Sequence, residues 1–191
     1  MKGQDSIKTL YVSNRAEWRE WLEEHFEAEP EVWLVFPNKS TAKPCLLYND
    51  AVEEALCFGW IDSTVKSLDS KHKIQWFLPR KNKNYYSQAN KERLRWLLDR
   101  GLIHPKVKPD IEAAVREEFV FPRDIIGRLQ QDSMVWDNYQ RFSDPYKRIR
   151  IGYIEAARNR PDEFEKRLSN FIRKTRDGKL ITGFGGIGKY Y

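Results

Sequence analysis

The stretch that decides the fold is residues 50–66, DAVEEALCFGWIDSTVK, because the spacing of its apolar residues changes at Gly59. Before the glycine, Val52, Ala55 and Leu56 recur at helical spacing, with Asp50 placed to cap and Glu53 three residues further on. After it the period becomes two: Ile61 and Val65 fall on one side, Asp62, Thr64 and Lys66 on the other. The pattern predicts a helix that ends at Gly59 in a left-handed position and turns directly into a strand. Asp62 stands out, since a carboxylate beside Trp60 and Ile61 needs a partner if it is buried.

Outward from this corner, LDSKH (68–72) supplies turn chemistry, and His72, Ile74, Trp76 and Leu78 then alternate until Pro79, which predicts a hairpin. Upstream, Asn14 with Glu17 opens a helix whose stripe is Trp18, Trp21, Leu22 and Phe26, and Val32–Phe36 reads as a short strand. Beyond Arg80 the pattern is helical. Ser87, Pro122, Asp144-Pro145 and Pro161 mark helix starts, and Gly101 marks an end. The expected class is α+β: a small, mainly antiparallel sheet packed with helices, followed by a helical C-terminal part. Residues 1–118 are expected as an α/β part and 119–191 as a basic helical part with a Gly-rich tail, or the two as one continuous domain.

The 191 residues suffice for a buried core, and 14% aromatic content supplies material for it. With 2 cysteines and no apolar h-region in the first residues, the expectation is a cytoplasmic protein without a disulfide framework. No apolar run reaches the ~18 residues of a membrane span. The net charge of +6 permits an acidic partner. Its excess concentrates in 80–100 and 147–179, where solvated helix faces are preferred over a nucleic-acid surface because acids interleave with the cations.

Site chemistry is sparse. The 3 histidines are scattered and no Cys-x-x-Cys occurs, so no metal site is expected, nor any cofactor. GFGGIG (183–188) lacks the Lys-Ser/Thr of a phosphate loop and reads as a tail. Cys57 near a helix C-terminus reads as packed core, because the helix dipole there opposes a thiolate. The loop FLPRKNKNYYSQAN (77–90) mixes cations, amides and tyrosines before a helix N-terminus. Together with the corner it defines a candidate ligand site. Trp60, Asp62 and Lys66 form one wall, and Arg80, Tyr86, Ser87 and Asn90 the other, with Arg80 expected to pair with Asp62.

YNDAVEEALCFGWIDSTVKSLD (48–69) followed by FLPRKNKNYYSQANKERLRWLLDRGLI (77–103) resembles the bacterial YdeI/OmpD-associated (OmdA-like) family. The family's A-L-C-F-G-W-I-D segment stands at Ala55–Asp62 and its P-R pair at Pro79-Arg80. Its S-x-W-S-x-x-N segment is altered, with Asn84 and Tyr86 replacing the first Ser and the Trp, while Ser87 and Asn90 remain. Its Thr-Arg pair is replaced by Glu163-Phe164. The resemblance runs over residues 15–175 and implies an α+β protein linked by name to bacteriocin protection and an outer-membrane porin, with no reaction attached. The resulting reading is a stress- or envelope-defence binding module for an acidic or aromatic small molecule or a protein. Two alternatives stand beside it: an enzyme using Asp62 as acid/base and Arg80 as anion clamp, and a nucleic-acid binder acting through the basic C-terminal helices.

Overall fold

Gly59 adopts φ +73° between helix α2 (Tyr48–Cys57) and strand β3 (Trp60–Ser67), so the expected corner forms. A Cβ at this position would lie 3.3 Å from Val107 Cγ1, so both the backbone conformation and the space favour glycine. The other end of α2 differs from expectation. The helix begins at Tyr48, and Leu47 occupies the cap position without a side-chain hydrogen bond. Asp50 therefore sits inside the first turn, where it meets the positive end of the helix dipole and pairs with Arg15 at 3.2 Å.

The computed structural model describes residues 8–38, 44–82, 86–182 and 187–190. Strands β1 (Thr9–Leu10), β2 (Val32–Pro37), β3 and β4 (His72–Pro79) form a sheet ordered β1-β2-β4-β3. The hairpin β3–β4 and the pair β2–β4 are antiparallel, whereas β1 joins β2 in parallel. The turn before β4 is closed by Asp69 Oδ1, which accepts from the Lys71 and His72 amides at 2.6 and 2.8 Å.

Simple alternation fails inside β3. Asp62 pairs with Phe77 and Val65 with Gln75, so Ser63 and Thr64 together oppose Trp76. This bulge puts Asp62 and Val65 on one face, and Ile61 and Lys66 on the other, in place of the expected Ile61/Val65 against Asp62/Lys66. The Asp62 face carries Phe77, against which Trp18 of helix α1 (Arg15–His25) packs edge-on with ring centroids 5.5 Å apart. Trp18 is fully buried and its indole N–H donates to Ala51 O at 3.0 Å, so its one polar atom is satisfied. Asn14 caps α1 as expected, accepting from the Ala16 and Glu17 amides.

The chain divides into two units that are discontinuous in sequence. Residues 1–83 with 100–111 make the first, and 84–99 with 112–191 the second. The second contains helix α3 (Gln88–Asp99) as well as α5 (Arg123–Gln130), α6 (Ser133–Arg141), α7 (Asp144–Glu155) and α8 (Pro161–Arg176), while α4 (Lys108–Arg116) begins in the first unit and ends in the second. The core of the second unit gathers Ile125, Leu129, Tyr146, Ile154, Leu168 and Phe171. Two contacts tie the tail to α7: the Ile181 amide donates to Tyr146 Oη at 2.8 Å, and Arg150 Nη2 donates to Ile181 O at 2.5 Å. Beyond them, a 3₁₀ turn (Ile187–Tyr190) sets Tyr190 against Ala89 and Ile149. The greater part of the GFGGIG segment, residues 183–186, lies outside the described residues. No helix among the described residues is long and apolar enough to cross a membrane.

Candidate functional site

The seven residues singled out from sequence are divided between the units. Trp60, Asp62, Lys66 and Arg80 belong to the first. Trp60 is only 1% exposed and its indole N–H donates to Phe26 O at 3.0 Å, so the ring is core and offers no face to a ligand. The Asp62 carboxylate accepts from the Tyr48 hydroxyl at 2.5 Å, in place of the expected pairing with Arg80. The reason is register: Arg80 lies beyond Pro79, which pairs with Trp60, and its amide bonds Gly59 O at 2.9 Å. Its Nε donates to Asn82 O at 3.1 Å. Lys66, carried to the other face by the bulge, holds its Nζ 4.6 Å from the Trp33 ring centroid.

Tyr86, Ser87 and Asn90 belong to the second unit. Ser87 caps α3: its hydroxyl accepts from the Asn90 amide at 3.4 Å and its carbonyl from the Lys91 amide at 2.9 Å. Asn90 Oδ1 is taken by Arg93 Nη1 at 2.9 Å. Their neighbours Lys83, Asn84 and Tyr85 lie outside the described residues.

Tyr86 and Ser87 do open onto a groove, and its other walls come from the same unit. The groove has a volume of about 600 Å³ and is bounded by the start of α3, the 117–120 segment and the C-terminal half of α7. Three rings (Tyr86, Phe119 and Tyr153) and three small residues (Ala89, Gly152 and Ala156) give it its apolar lining. Gly152 allows α7 to approach α3 this closely, since a Cβ there would lie 2.7 Å from Gln88 Cβ. Tyr153 is fixed by Arg167, whose guanidinium carbon stacks 3.8 Å from the ring centroid and whose Nη1 donates to Tyr153 O at 2.7 Å.

The charges along the groove are nearly all engaged. Lys91 Nζ meets Glu117 Oε2 at 2.5 Å and holds that carboxyl below the usual range. Arg167 Nε meets Glu163 at 2.7 Å, with the same effect on Glu163. Glu155 is held by Arg158 at 2.6 Å, and Arg158 also grips Asp124. Among the described residues, the one remaining charged lining residue is Glu118, exposed on the loop after α4. Its carboxylate makes no hydrogen bond or ion pair among the described residues.

Sequence reasoning found Tyr86 and Ser87 but missed Phe119, Gly152, Tyr153 and Arg167. Two signals pointed to the first three. A lone glycine interrupts the apolar helix pattern RIRIGYIEAA (148–157), and the run EEFVFP (117–122) is extended and aromatic immediately before a helix.

Elsewhere the chemistry is quiet. Burial, reinforced by Glu54, pushes the Cys57 thiol up to about 12 against the opposing pull of Arg19, so it stays protonated at neutral pH. Both cysteines are free. Among the described residues no three His, Cys, Asp or Glu side chains converge as a metal site.

Two family models match the chain. Residues 10–109 match the domain of unknown function DUF8412, and residues 118–178 match the OmdA family, described as Bacteriocin-protection, YdeI or OmpD-Associated. The second match is to the family that the motifs resembled, yet it covers the helices of the second unit, whereas Ala55–Asp62 and Pro79–Asn90 fall within the first match. No curated protein and no solved structure matches the chain. With more than half of its 191 residues inside the first match, the chain belongs to the DUF8412 family and carries an OmdA segment in its second unit.

Proposed function

We propose that the protein is a cytoplasmic small-ligand-binding module acting in bacteriocin protection or envelope defence, and that the groove of the second unit is its binding site. The observation that carries this reading is the groove itself. A cavity of about 600 Å³, walled by three aromatic rings and floored by small residues, has the size and lining of a small-molecule site. Two of its walls, the 118–120 segment and α7, lie in the stretch that matches the OmdA family, whose description supplies the link to bacteriocin protection. The rings are held before any ligand arrives: Tyr86 is 6% exposed, and Tyr153 is clamped by Arg167. Such preorganisation lowers the entropy that binding must overcome.

The enzyme alternative has less support. The Asp62–Arg80 pair it calls for does not form, since Asp62 accepts from Tyr48 and Arg80 Nε donates to Asn82 O, and the Cys57 thiol is held protonated. A thermal-shift screen of small metabolites against the full chain and an Ala156→Trp variant tests the proposal. Ala156 is exposed at the end of α7, so an indole there fills the groove without entering the core. Compounds that raise the melting temperature of the parent but not of the variant are expected. Hits that stabilise both equally would place binding elsewhere.

A further inference from the structure

The charges around the groove select the kind of ligand it takes. Resting on the groove as the binding site, we infer that the occupant is a small amine: a cationic nitrogen on an aromatic body, and not the acidic molecule that the basic composition suggests. Lys91 and Arg167, the two cations in the walls among the described residues, are each paired with a carboxylate, Glu117 and Glu163, at 2.5 and 2.7 Å. Each cation's charge is thereby balanced by an acid, which weakens its pull on a second one. Glu155 is likewise closed, by Arg158. Glu118 lines the groove with its carboxylate unengaged among the described residues, so the residual charge that these residues present to a ligand is negative.

The rings work in the same direction. Aromatic rings attract a cation as well as an apolar body, and Tyr86, Phe119 and Tyr153 line the groove, Tyr153 with one face already taken by the Arg167 guanidinium at 3.8 Å. An aromatic amine satisfies both features: its ring enters the apolar channel and its ammonium reaches the Glu118 end. A carboxylate on the same body would meet the repulsion of Glu118.

Three probes of one shape separate the possibilities: 2-phenylethylamine, 2-phenylethanol and 3-phenylpropionate, titrated calorimetrically into the full chain at neutral pH and low salt. The expected affinity order is amine, then alcohol, then acid. Glu118→Gln should weaken the amine by about fivefold, the effect of one partly exposed charge pair, and leave the alcohol unchanged. Ala156→Trp should weaken all three. If the acid binds best, or if Glu118→Gln leaves the amine unaffected while Ala156→Trp still weakens binding, the amine inference falls and the groove stands. If no probe binds at millimolar concentration, or if Ala156→Trp changes nothing, both fall. Circular dichroism melts of the two variants distinguish lost binding from lost folding.

Discussion

At the scale of single residues, Cys57 shows how a group that looks chemical can be purely structural. Its thiol lies at the C-terminal end of α2, fully buried, with a pKa raised by burial and by Glu54. The consequence is a pH dependence of stability with a definite sign. In the unfolded chain the thiol ionises near its ordinary value of 9.0, whereas in the folded chain it holds its proton up to about 12. Between those values the folded state binds more protons than the unfolded state, so stability falls as pH rises through this window. Below it the thiol is protonated in both states and contributes no slope. Urea unfolding midpoints measured from pH 8 to 11 should therefore decline less steeply in Cys57→Ala than in the parent. The packing lost with the side chain adds a pH-independent offset, so the difference in slope alone reports the thiol. Parallel pH profiles for the two proteins would show that the buried thiol ionises freely.

At the scale of elements, the contact between α1 and α2 depends on a buried ionic network rather than on hydrophobic packing alone. Arg15 reaches Glu53 at 2.8 Å, Asp50 at 3.2 Å and Glu54, and Arg19 reaches Glu54 at 2.7 Å. Glu53 is 0% and Glu54 2% exposed. Burial disfavours the Arg15 charge, but these carboxylates more than offset it and raise its pKa. Arg15→Met should cost on the order of 3 kcal/mol, because it leaves buried carboxylates undercompensated. Urea unfolding of the two proteins at neutral pH measures the loss, and a cost below about 1 kcal/mol would indicate that Arg15 acts through packing alone. The same pair of helices shows what the sequence could and could not disclose. Gly59 was legible, because the apolar period changes at that residue and only a left-handed position reconciles the two sides. The start of α2 was not, because Asp50 suits a cap and a first-turn position equally, and Arg15, distant in sequence, decides between them. The bulge in β3 was hidden for a related reason: Ser63 and Thr64 are polar and fit either register, so pairing with β4 alone reveals the extra residue. The groove was half legible. Tyr86 and Ser87 stood out in a loop, while Gly152 and Phe119 acquire meaning only once α7 lies against α3.

At the scale of the whole molecule, the question is whether a net charge of +6 makes the protein a nucleic-acid binder. Counterion release drives such binding, and it requires cations that can exchange their neighbours for phosphates. In the C-terminal helices many are already closed by acids. Arg158 bridges Asp124 and Glu155, lowering the Asp124 pKa and raising its own. Arg128 meets Glu165 at 3.3 Å, and Arg176 meets Asp132 at 3.4 Å. Arg148 holds the buried Glu92 through two bonds of 2.7 and 2.9 Å, which raises its own pKa. Each such pair presents a dipole to an approaching phosphate in place of a full charge, and breaking it returns part of the Coulomb gain. Duplex DNA should then bind only non-specifically, at roughly 10⁻⁴–10⁻⁶ M at physiological salt. The slope of log K against log salt should correspond to a few phosphate contacts rather than to the full complement of C-terminal cations. Fluorescence anisotropy with a random-sequence duplex, titrated from 50 to 200 mM salt, measures both quantities. Nanomolar, sequence-selective binding with a steep slope would mean that the ion pairs open readily. The basic helices would then be a working surface, and the groove would cease to be the leading site.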